Sequence, residues 1–434
     1  MNDDPVAHAG AKMMQGAAAV TSVAEAVSHV AAARARGRAS RMVADERMRQ
    51  SLTSRSETVQ GTLPDAESVR QPIDDVRRAR LLAVHEDAEE FYRKGLDASW
   101  VPEYLSERGL DSSAWAVGYA PAEWTTTTDH LRKQGHTEQD LLDAGLSVRS
   151  SRGTLVDRFR DRLMVSVRNS DGETVGFTGR LNPASSNRRE PKWKNSPETE
   201  LYRKGSELPG VFEGRDRLAA GATPVVVESP FDAMAVTAAT NGKCVGVAAC
   251  GTAFTAAQFE MLKSACDLNR VSVTFAFDGD AAGEQATLRA FDVVNGADVD
   301  TPMAVVLPAG DDPASMVEAG RGADLKRLFT HEICPLDDLV VDAKLAPFAG
   351  RTQWVENRVN AMRAVAPTIA SLRTADAGHQ VWRVAQRLDL PMGTVTAALA
   401  EHVSPSDAHV VPFVQAELRA RQQASRVLDR SRSR

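Results

Sequence analysis

The chain has 434 residues, of which 43% are hydrophobic and 25% are charged. This composition is ordinary for a folded globular protein and excludes wholesale disorder. The aromatic fraction of 5% argues against stacking surfaces as the main means of holding a partner, and the formal net charge of −6 argues against a uniformly basic nucleic-acid-binding protein.

Residues 1–75 are rich in Ala and Arg and end in a polar stretch. We expect a helical or disordered tail and a linker, with no signal peptide or membrane span, because the Ala-rich stretches are broken by charges. An alternative is that the arginines of ARARGRASR grip phosphate groups. The four cysteines of the chain form no CxxC pair, which predicts reduced thiols in a cytoplasmic protein without a zinc site.

Residues 76–220 begin with helical patterns and then become basic. Apolar spacings of three and four predict helices up to about Ser147, one of them capped by Thr137. The run RFRDRLMVSVRNSDGETVGFTGRLN predicts a β-hairpin that turns at Asn169–Gly172. Residues 152–215 contain 13 Lys and Arg against 9 Asp and Glu, a balance suited to holding the phosphates of a template or a nucleotide.

Residues 221–330 contain three apolar runs that each end in acids. PVVVESPFDA ends near Glu228, VSVTFAFDGDAAG supplies Asp278 and Asp280, and MAVVLPAGDDPAS supplies Asp311 and Asp312. The carboxyl ends of parallel strands share one edge of an α/β sheet, so these acids should meet in space. Carboxylates at this density need cations, and hard oxygen ligands suit Mg²⁺ or Mn²⁺. The residues alone therefore predict metal-dependent phosphoryl chemistry.

Residues 331–403 again show amphipathic helical spacing. The segment VAQRLDL-PMG-TVTAALA is similar to a helix-turn-helix with a break at Pro391–Gly393. A helical bundle for protein contact is favoured over DNA reading, because the segment has few basic residues. Residues 404–434 are predicted to be a disordered tail.

The acidic region resembles a TOPRIM domain, the metal-binding unit shared by bacterial primases, topoisomerases and certain nucleases. Its signatures are a glutamate at a strand end, here Glu228, and an Asp-x-Asp pair, here Asp278 and Asp280. The preceding segments, from VGYAPAEW to PKWKNSPETELYRKGSELPGVFEGR, are similar in order to the catalytic core of DnaG-type bacterial primases, over about residues 88–319. The resemblance implies an α/β fold (α+β overall), in which a basic mixed α/β subdomain precedes a TOPRIM parallel-sheet domain and helical regions flank both.

The resemblance also implies roles for ten residues. The expected catalytic residues are Glu228, Asp278 and Asp280. The expected metal ligands are Glu228, Asp232, Asp278, Asp280 and Asp312. The residues expected to hold template and nucleotide are Arg158, Arg180, Lys192, Asn195 and Lys204.

The chain departs from the family pattern in three places. Ser229 opens a segment where the family often has Gly-Tyr-Met, and Ala314 stands where a further aspartate is common, so that one secondary ligand is missing or is replaced by Asp311. The Cys/His zinc ribbon with which the family begins is missing as well, and the Ala/Arg-rich segment takes its place. This last departure is compatible with a phage, plasmid or other mobile-element origin.

The function implied by the resemblance is that of a DNA primase. Such an enzyme makes short RNA primers from NTPs on single-stranded DNA by two-metal nucleotidyl transfer, and the C-terminal helices occupy the place of the family's helicase-interaction domain. Two alternatives use the same features. A TOPRIM nuclease would direct the metals at water instead of a 3′-hydroxyl, and a replication accessory protein would bind DNA and a helicase without catalysis.

Overall fold

The computed structural model describes residues 73–186, 189–251 and 253–400. Almost all of the predicted N-terminal tail, and the whole predicted tail 404–434, lie outside these residues. The described residues divide into two compact units, one containing residues 73–339 and the other residues 340–400. The predicted mixed α/β architecture is confirmed, whereas the predicted domain boundaries stay predictions. No helix among the described residues has the length and apolar character needed to cross a membrane.

The first unit opens with four helices and a strand: α1 Asp75–Lys94, α2 Val101–Glu107, β1 Val117–Ala120, α3 Thr126–Lys133 and α4 Glu138–Asp143. The predicted cap at Thr137 is confirmed, because its side chain accepts a hydrogen bond from the backbone N–H of Asp140 in a capping box. The region is not purely helical, however. β1 is a sheet strand, and its short VGYA run was indistinguishable from a turn in sequence.

The basic region forms an antiparallel sheet. The five strands after α4 are β2 Ser147–Arg149, β3 Leu155–Asp157, β4 Arg162–Arg168, β5 Thr174–Leu181 and β6 Trp193–Asn195. Four strands lie in the order β1-β4-β5-β6, while β2 and β3 pair separately. The predicted hairpin is confirmed: Gly172 has a φ of +85°, and the N–H of Gly172 donates to the carbonyl of Asn169.

The acidic region forms a five-stranded sheet in the order β11-β10-β9-β7-β8. Its strands are β7 Thr223–Val227, β8 Cys244–Ala248, β9 Thr274–Phe275, β10 Met303–Ala304 and β11 Cys334–Pro335. β8, β7, β9 and β10 are mutually parallel, and only β11 is antiparallel. The predicted parallel sheet is therefore confirmed. Its helices are α5 Arg215–Ala219, α6 Pro230–Ala239, α7 Ala256–Ala265, α8 Ala281–Val294, α9 Pro313–Glu318 and α10 Gly322–His331.

The two sheets share one hydrophobic core. Leu163 and Val165 of β4 belong to the same buried cluster as Val225 and Val227 of β7, together with Phe231 of α6. Close packing across this cluster fixes the antiparallel sheet against the carboxyl edge of the parallel sheet. The position of the basic strands relative to the acids is therefore set by apolar contacts.

The remaining helices are α11 Leu336–Leu345, a 3₁₀ turn at Ala346–Phe348, α12 Val355–Ser371, α13 Thr374–Leu388 and α14 Met392–Ala400. The predicted break around Pro391 is confirmed, since α13 ends at Leu388 and α14 begins at Met392. Asp389 takes the left-handed conformation there, with a φ of +49°. Inside the second compact unit, Asp342 of α11 forms ion pairs with Arg383 and Arg387 of α13.

Candidate active site

Two carboxylates meet at the edge of the parallel sheet, as the sequence predicts. Glu228 follows β7 directly, and Asp278 lies three residues beyond β9, the strand paired with β7. The backbone N–H of Asp278 lies 3.4 Å from Oε1 of Glu228. Oδ1 of Asp278 is buried and has no hydrogen-bond partner among the described residues. A buried carboxylate oxygen without a donor is costly, which marks it as a place where a cation would be stabilised.

Two further carboxylates are helix N-caps. Oδ1 of Asp280 accepts the N–H groups of Ala282 and Gly283 at the start of α8, at 2.9 and 2.8 Å. Oδ1 of Asp312 accepts the N–H of Ser315 at the start of α9, at 2.5 Å. Capping fixes each carboxylate group and uses one of its two oxygens. The other oxygen, Oδ2, has no hydrogen-bonding partner within the described part of the chain.

Asp232 is held differently. Oδ2 accepts both the N–H and the hydroxyl of Ser229, at 3.1 and 2.6 Å, and Oδ1 accepts the N–H of Ala314 at 3.2 Å. The residue is only 4% exposed. Both oxygens of Asp232 are therefore occupied by protein donors.

The turn that carries the Asp-x-Asp pair needs glycine. A Cβ on Gly279 would lie 2.1 Å from the carbonyl oxygen of Pro308, and a Cβ on Gly283 would lie 2.0 Å from that of Asp278. The N–H of Gly279 donates to the carbonyl of Asp311 at 3.0 Å. Gly279 thus lets the loops after β9 and β10 come together, and with them Asp278 and Asp312, while Gly283 lets the turn close on Asp278.

The carboxylates repel one another. Burial, followed by the charges of Glu228 and the neighbouring aspartates, raises the pKa of Asp278 to about 7. Burial and then Asp312 raise the pKa of Asp232 to about 6. Burial is also the largest cause of the raised pKa of Glu228, with Asp280 and Asp312 adding to it. A divalent cation would relieve this repulsion.

The antiparallel sheet supplies the cationic side of the site. Arg180 lies at the end of β5 opposite Trp193 of β6, with its guanidinium 5.7 Å from the indole centroid. Its Nη1 atom is buried and has no hydrogen-bond partner among the described residues. Asn195 accepts the hydroxyl of Thr178 at 2.6 Å and donates to the carbonyl of Cys250 at 2.8 Å. Asn195 therefore connects β5 and β6 to the loop that follows β8.

One cavity of about 370 Å³ brings most of the predicted residues together. Seven of them line it: Glu228, Asp232, Asp278, Asp312, Arg180, Lys192 and Asn195. Three do not: Arg158, Lys204 and Asp280. Arg158 packs behind Asn195, where burial lowers its pKa and its Nη2 donates to the Asn195 carbonyl at 3.4 Å. Lys204 is exposed.

Arg108 lines the same cavity and was missed in the sequence. It follows α2, pairs with Glu318 at 2.9 Å, and lies 5.9 Å from the ring centroid of Phe231. No sequence signal could have found it, because it stands 120 positions before Glu228 in an ordinary helix-ending segment. Asp311 forms an ion pair with Arg321 at 2.6 Å, so this carboxylate already has a cationic partner.

The donor set fits a hard divalent cation. It consists of carboxylate oxygens, one of them buried and unpartnered, around residues whose pKa values are raised by mutual repulsion. Among the described residues, no three Asp, Glu, His or Cys side chains already surround a single coordination point. The carboxylates are close enough to interact electrostatically, but their oxygens do not converge on one point.

Comparison with known proteins identifies both sheets. A family described as "DNA primase catalytic core, N-terminal domain" matches residues 91–215, and one described as "Toprim-like" matches residues 225–317. A DNA primase of Streptomyces coelicolor is 33% identical over 312 residues, covering 70% of this chain and 47% of the relative. A DNA primase of Mycolicibacterium smegmatis is 36% identical, covering 68% of this chain and 47% of the relative. The chain thus spans about half the length of these curated relatives.

Solved structures agree with this match. The RNA polymerase domain of Mycobacterium tuberculosis primase DnaG is similar with a TM-score of 0.60 and 32% identity, over 70% of this chain and 97% of that one. A DnaG primase catalytic domain bound to single-stranded DNA gives a TM-score of 0.63 and 26% identity, over 74% of this chain and all of that one. With its basic antiparallel sheet joined to a TOPRIM sheet, the chain belongs to the family of DnaG-type bacterial primase catalytic cores.

Proposed function

We propose that this chain is a DNA primase, which joins NTPs into short RNA primers on a single-stranded DNA template. One observation carries the proposal: the cavity that contains Glu228, Asp278 and Asp312 also contains Arg180, Lys192 and Asn195. Cations that can bind phosphates thus face carboxylates that can bind divalent metals. Membership of the primase family supports the same activity.

The metal-binding residues would be Glu228, Asp278, Asp280 and Asp312, and the metal Mg²⁺ or Mn²⁺. When bound, such ions lower the pKa of an attacking hydroxyl and neutralise the triphosphate. The helix caps hold Asp280 and Asp312 rigidly, so that their remaining oxygens need little reorganisation. The absence of a zinc site remains a prediction.

Arg180 and Lys192 would hold the phosphates of the nucleotide or template, and Arg108 would add a third cation to the same cavity. Positioning of this kind supplies a large part of the rate enhancement in phosphoryl transfer. Lys204 and Arg158, which lie outside the cavity lining, would act on the template at a greater distance from the reacting atoms.

The C-terminal helices α12–α14 would contact a replicative helicase. Trp354 and Trp382 are 62% and 51% exposed, and large exposed apolar side chains are common at protein interfaces. A cytoplasmic location is expected for such an enzyme. Co-purification with the helicase of the same host tests the contact, with Trp382→Ser as the variant expected to lose it.

A single assay separates primase from its alternatives. The protein is incubated with circular single-stranded DNA, labelled NTPs and Mg²⁺ or Mn²⁺, and the products are separated on a gel. Short labelled RNA is the expected result. Cut DNA would favour the nuclease, and DNA binding without any product would favour the accessory protein.

A further inference from the structure

The contacts of Asp232 differ from those of every other carboxylate at the site. Glu228, Asp278, Asp280 and Asp312 each keep at least one oxygen without a hydrogen-bond donor among the described residues, whereas both oxygens of Asp232 accept protein donors. A metal at Asp232 would have to bind an oxygen that already accepts a hydrogen bond, and its positive charge would lie beside the positive hydrogen of that donor. The remaining carboxylates impose no such cost.

The donors to Asp232 come from two separate helix starts. Ser229 is the N-cap of α6, and Ala314 lies in the first turn of α9, two residues after the cap Asp312. The Ala314 contact spans 82 positions of sequence. Ala314 is only 2% exposed and its N–H donates to Asp232 in a buried contact, so loss of this acceptor would be costly.

We propose that Asp232 is a positioning residue instead of a metal ligand. It fastens the first turn of α9 to that of α6 and so holds Asp312 opposite Glu228 and Asp278. The inference rests on the proposed metal site, since it concerns which carboxylates are left to form that site. It also gives Ser229 a role: its hydroxyl helps to hold the Asp232 carboxylate in place for Ala314.

The test compares the thermal unfolding of three variants in EDTA and then in Mn²⁺. Asp232→Asn keeps the shape but cannot accept hydrogen bonds at both ends of its side chain. Ser229→Ala removes one donor to Asp232, together with the side-chain cap of α6, and leaves every carboxylate intact. Asp278→Asn is the matched control, because it neutralises a carboxylate that has an unpartnered oxygen.

In EDTA, we expect the Tm changes of Asp232→Asn and Asp278→Asn to have opposite signs. Asp232→Asn should lower Tm by about 3 °C or more, because the loss of the acceptor of a buried N–H outweighs the relief of repulsion between Asp232 and Asp312. Ser229→Ala should lower it less. Asp278→Asn should raise Tm, because it removes a charge that burial and four neighbouring carboxylates destabilise. Added Mn²⁺ should still raise the Tm of Asp232→Asn and Ser229→Ala.

Mn²⁺-soaked crystals of the wild-type protein give the direct measurement. We expect every anomalous peak at the site to lie beyond about 3 Å from both oxygens of Asp232, since the oxygen ligands of Mg²⁺ and Ca²⁺ lie within about 2.0–2.6 Å of the metal. A peak at ligand distance from Asp232 would overturn the proposal, as would an Asp232→Asn variant that is more stable than the wild type in EDTA. If Mn²⁺ does not stabilise even the wild type, the metal site itself is wrong, while the Tm values in EDTA still test the role of Asp232.

Discussion

The side-chain amide of Asn195 donates a hydrogen bond of 2.8 Å to the carbonyl oxygen of Cys250. Asn195 ends β6 of the antiparallel sheet, and Cys250 follows β8 of the parallel sheet in a left-handed conformation with a φ of +56°. The bond therefore joins the basic half of the cavity directly to its acidic half. The amide makes both contacts at once, because its nitrogen donates to Cys250 while its oxygen accepts the hydroxyl of Thr178.

Replacing Asn195 by Asp should separate the contact with Thr178 from the contact with Cys250. The carboxylate can still accept from Thr178 but cannot donate to Cys250, and it adds a negative charge beside the acids. We expect KM for NTPs to rise by about tenfold or more and stability to fall by about 1–3 kcal/mol. Thr178→Val is the control, since it removes only the hydrogen bond from the Thr178 hydroxyl to Asn195. Unchanged steady-state kinetics for Asn195→Asp would contradict a role in joining the two halves.

Replacing Asp278 by Ala should abolish priming. Its buried, unpartnered Oδ1 atom and its raised pKa make it the carboxylate whose charge most needs a cation. We expect primer synthesis to fall by about 1,000-fold or more, because the proposed metals can no longer be held at this edge. Binding of single-stranded DNA, measured by fluorescence anisotropy, should stay within about twofold, since the cations are untouched. Wild-type amounts of primer would rule out the metal assignment.

Replacing Gly279 by Ala should disrupt the turn between Asp278 and Asp280. The added Cβ would lie 2.1 Å from the Pro308 carbonyl oxygen, which is backbone and cannot move away cheaply. We expect a loss of about 1–3 kcal/mol in the free energy of unfolding, together with loss of priming. Gly322→Ala is the matched control: its Cβ meets nothing within 4 Å, so its denaturation midpoint should equal or exceed that of the wild type.

Replacing Arg108 by Ala should weaken nucleotide binding. The guanidinium lies at the cavity beside Phe231 and is tied to Glu318. We expect KM for NTPs to rise by about tenfold with a smaller change in kcat, because a phosphate-binding cation acts mainly on binding. Glu318→Gln breaks the ion pair but keeps the cation, so it should leave KM nearly unchanged. A pure stability effect would instead lower the Tm of both variants and alter neither constant.

His85 should make the fold sensitive to acid. The side chain is fully buried against Phe177, and burial lowers its pKa to about 4. The unfolded chain has a histidine pKa of about 6.5, so between these values only the unfolded state takes up the proton. The stability from neutral His85 is thus present above pH 6.5 and is lost as pH falls towards 4, by up to about 3 kcal/mol.

His85→Gln cannot titrate and provides the comparison. Urea unfolding of both proteins at pH 7, 6, 5 and 4 should show a shallower pH dependence for the variant, even if it is less stable throughout. Parallel curves for the two proteins would show that His85 does not titrate in this range.

The position of the acids at one sheet edge could be predicted from the sequence, because a strand has a local sequence pattern. The runs before Glu228, Asp278 and Asp312 are apolar and short, and the rule that parallel strands expose their carboxyl ends at one edge needs no coordinates. The hairpin turn at Gly172 and the Thr137 cap are equally local, since each depends on neighbours within four residues. The short strand β1 escaped prediction because its pairing with β4 lies more than forty residues away.

Taken alone, the sequence predicted metal-dependent chemistry, and it determined the parallel sheet and the basic character of the region before it. Only the tertiary structure decided which side chains share a cavity. The cavity lining includes Arg108 and leaves out Lys204 and Arg158. In the folded chain, both oxygens of Asp232 accept hydrogen bonds from protein donors. The physical reason is that composition and periodicity are local properties. Which oxygen keeps a vacant lone pair, and which cation faces it, depends on side chains that one shared apolar core brings together from distant parts of the chain.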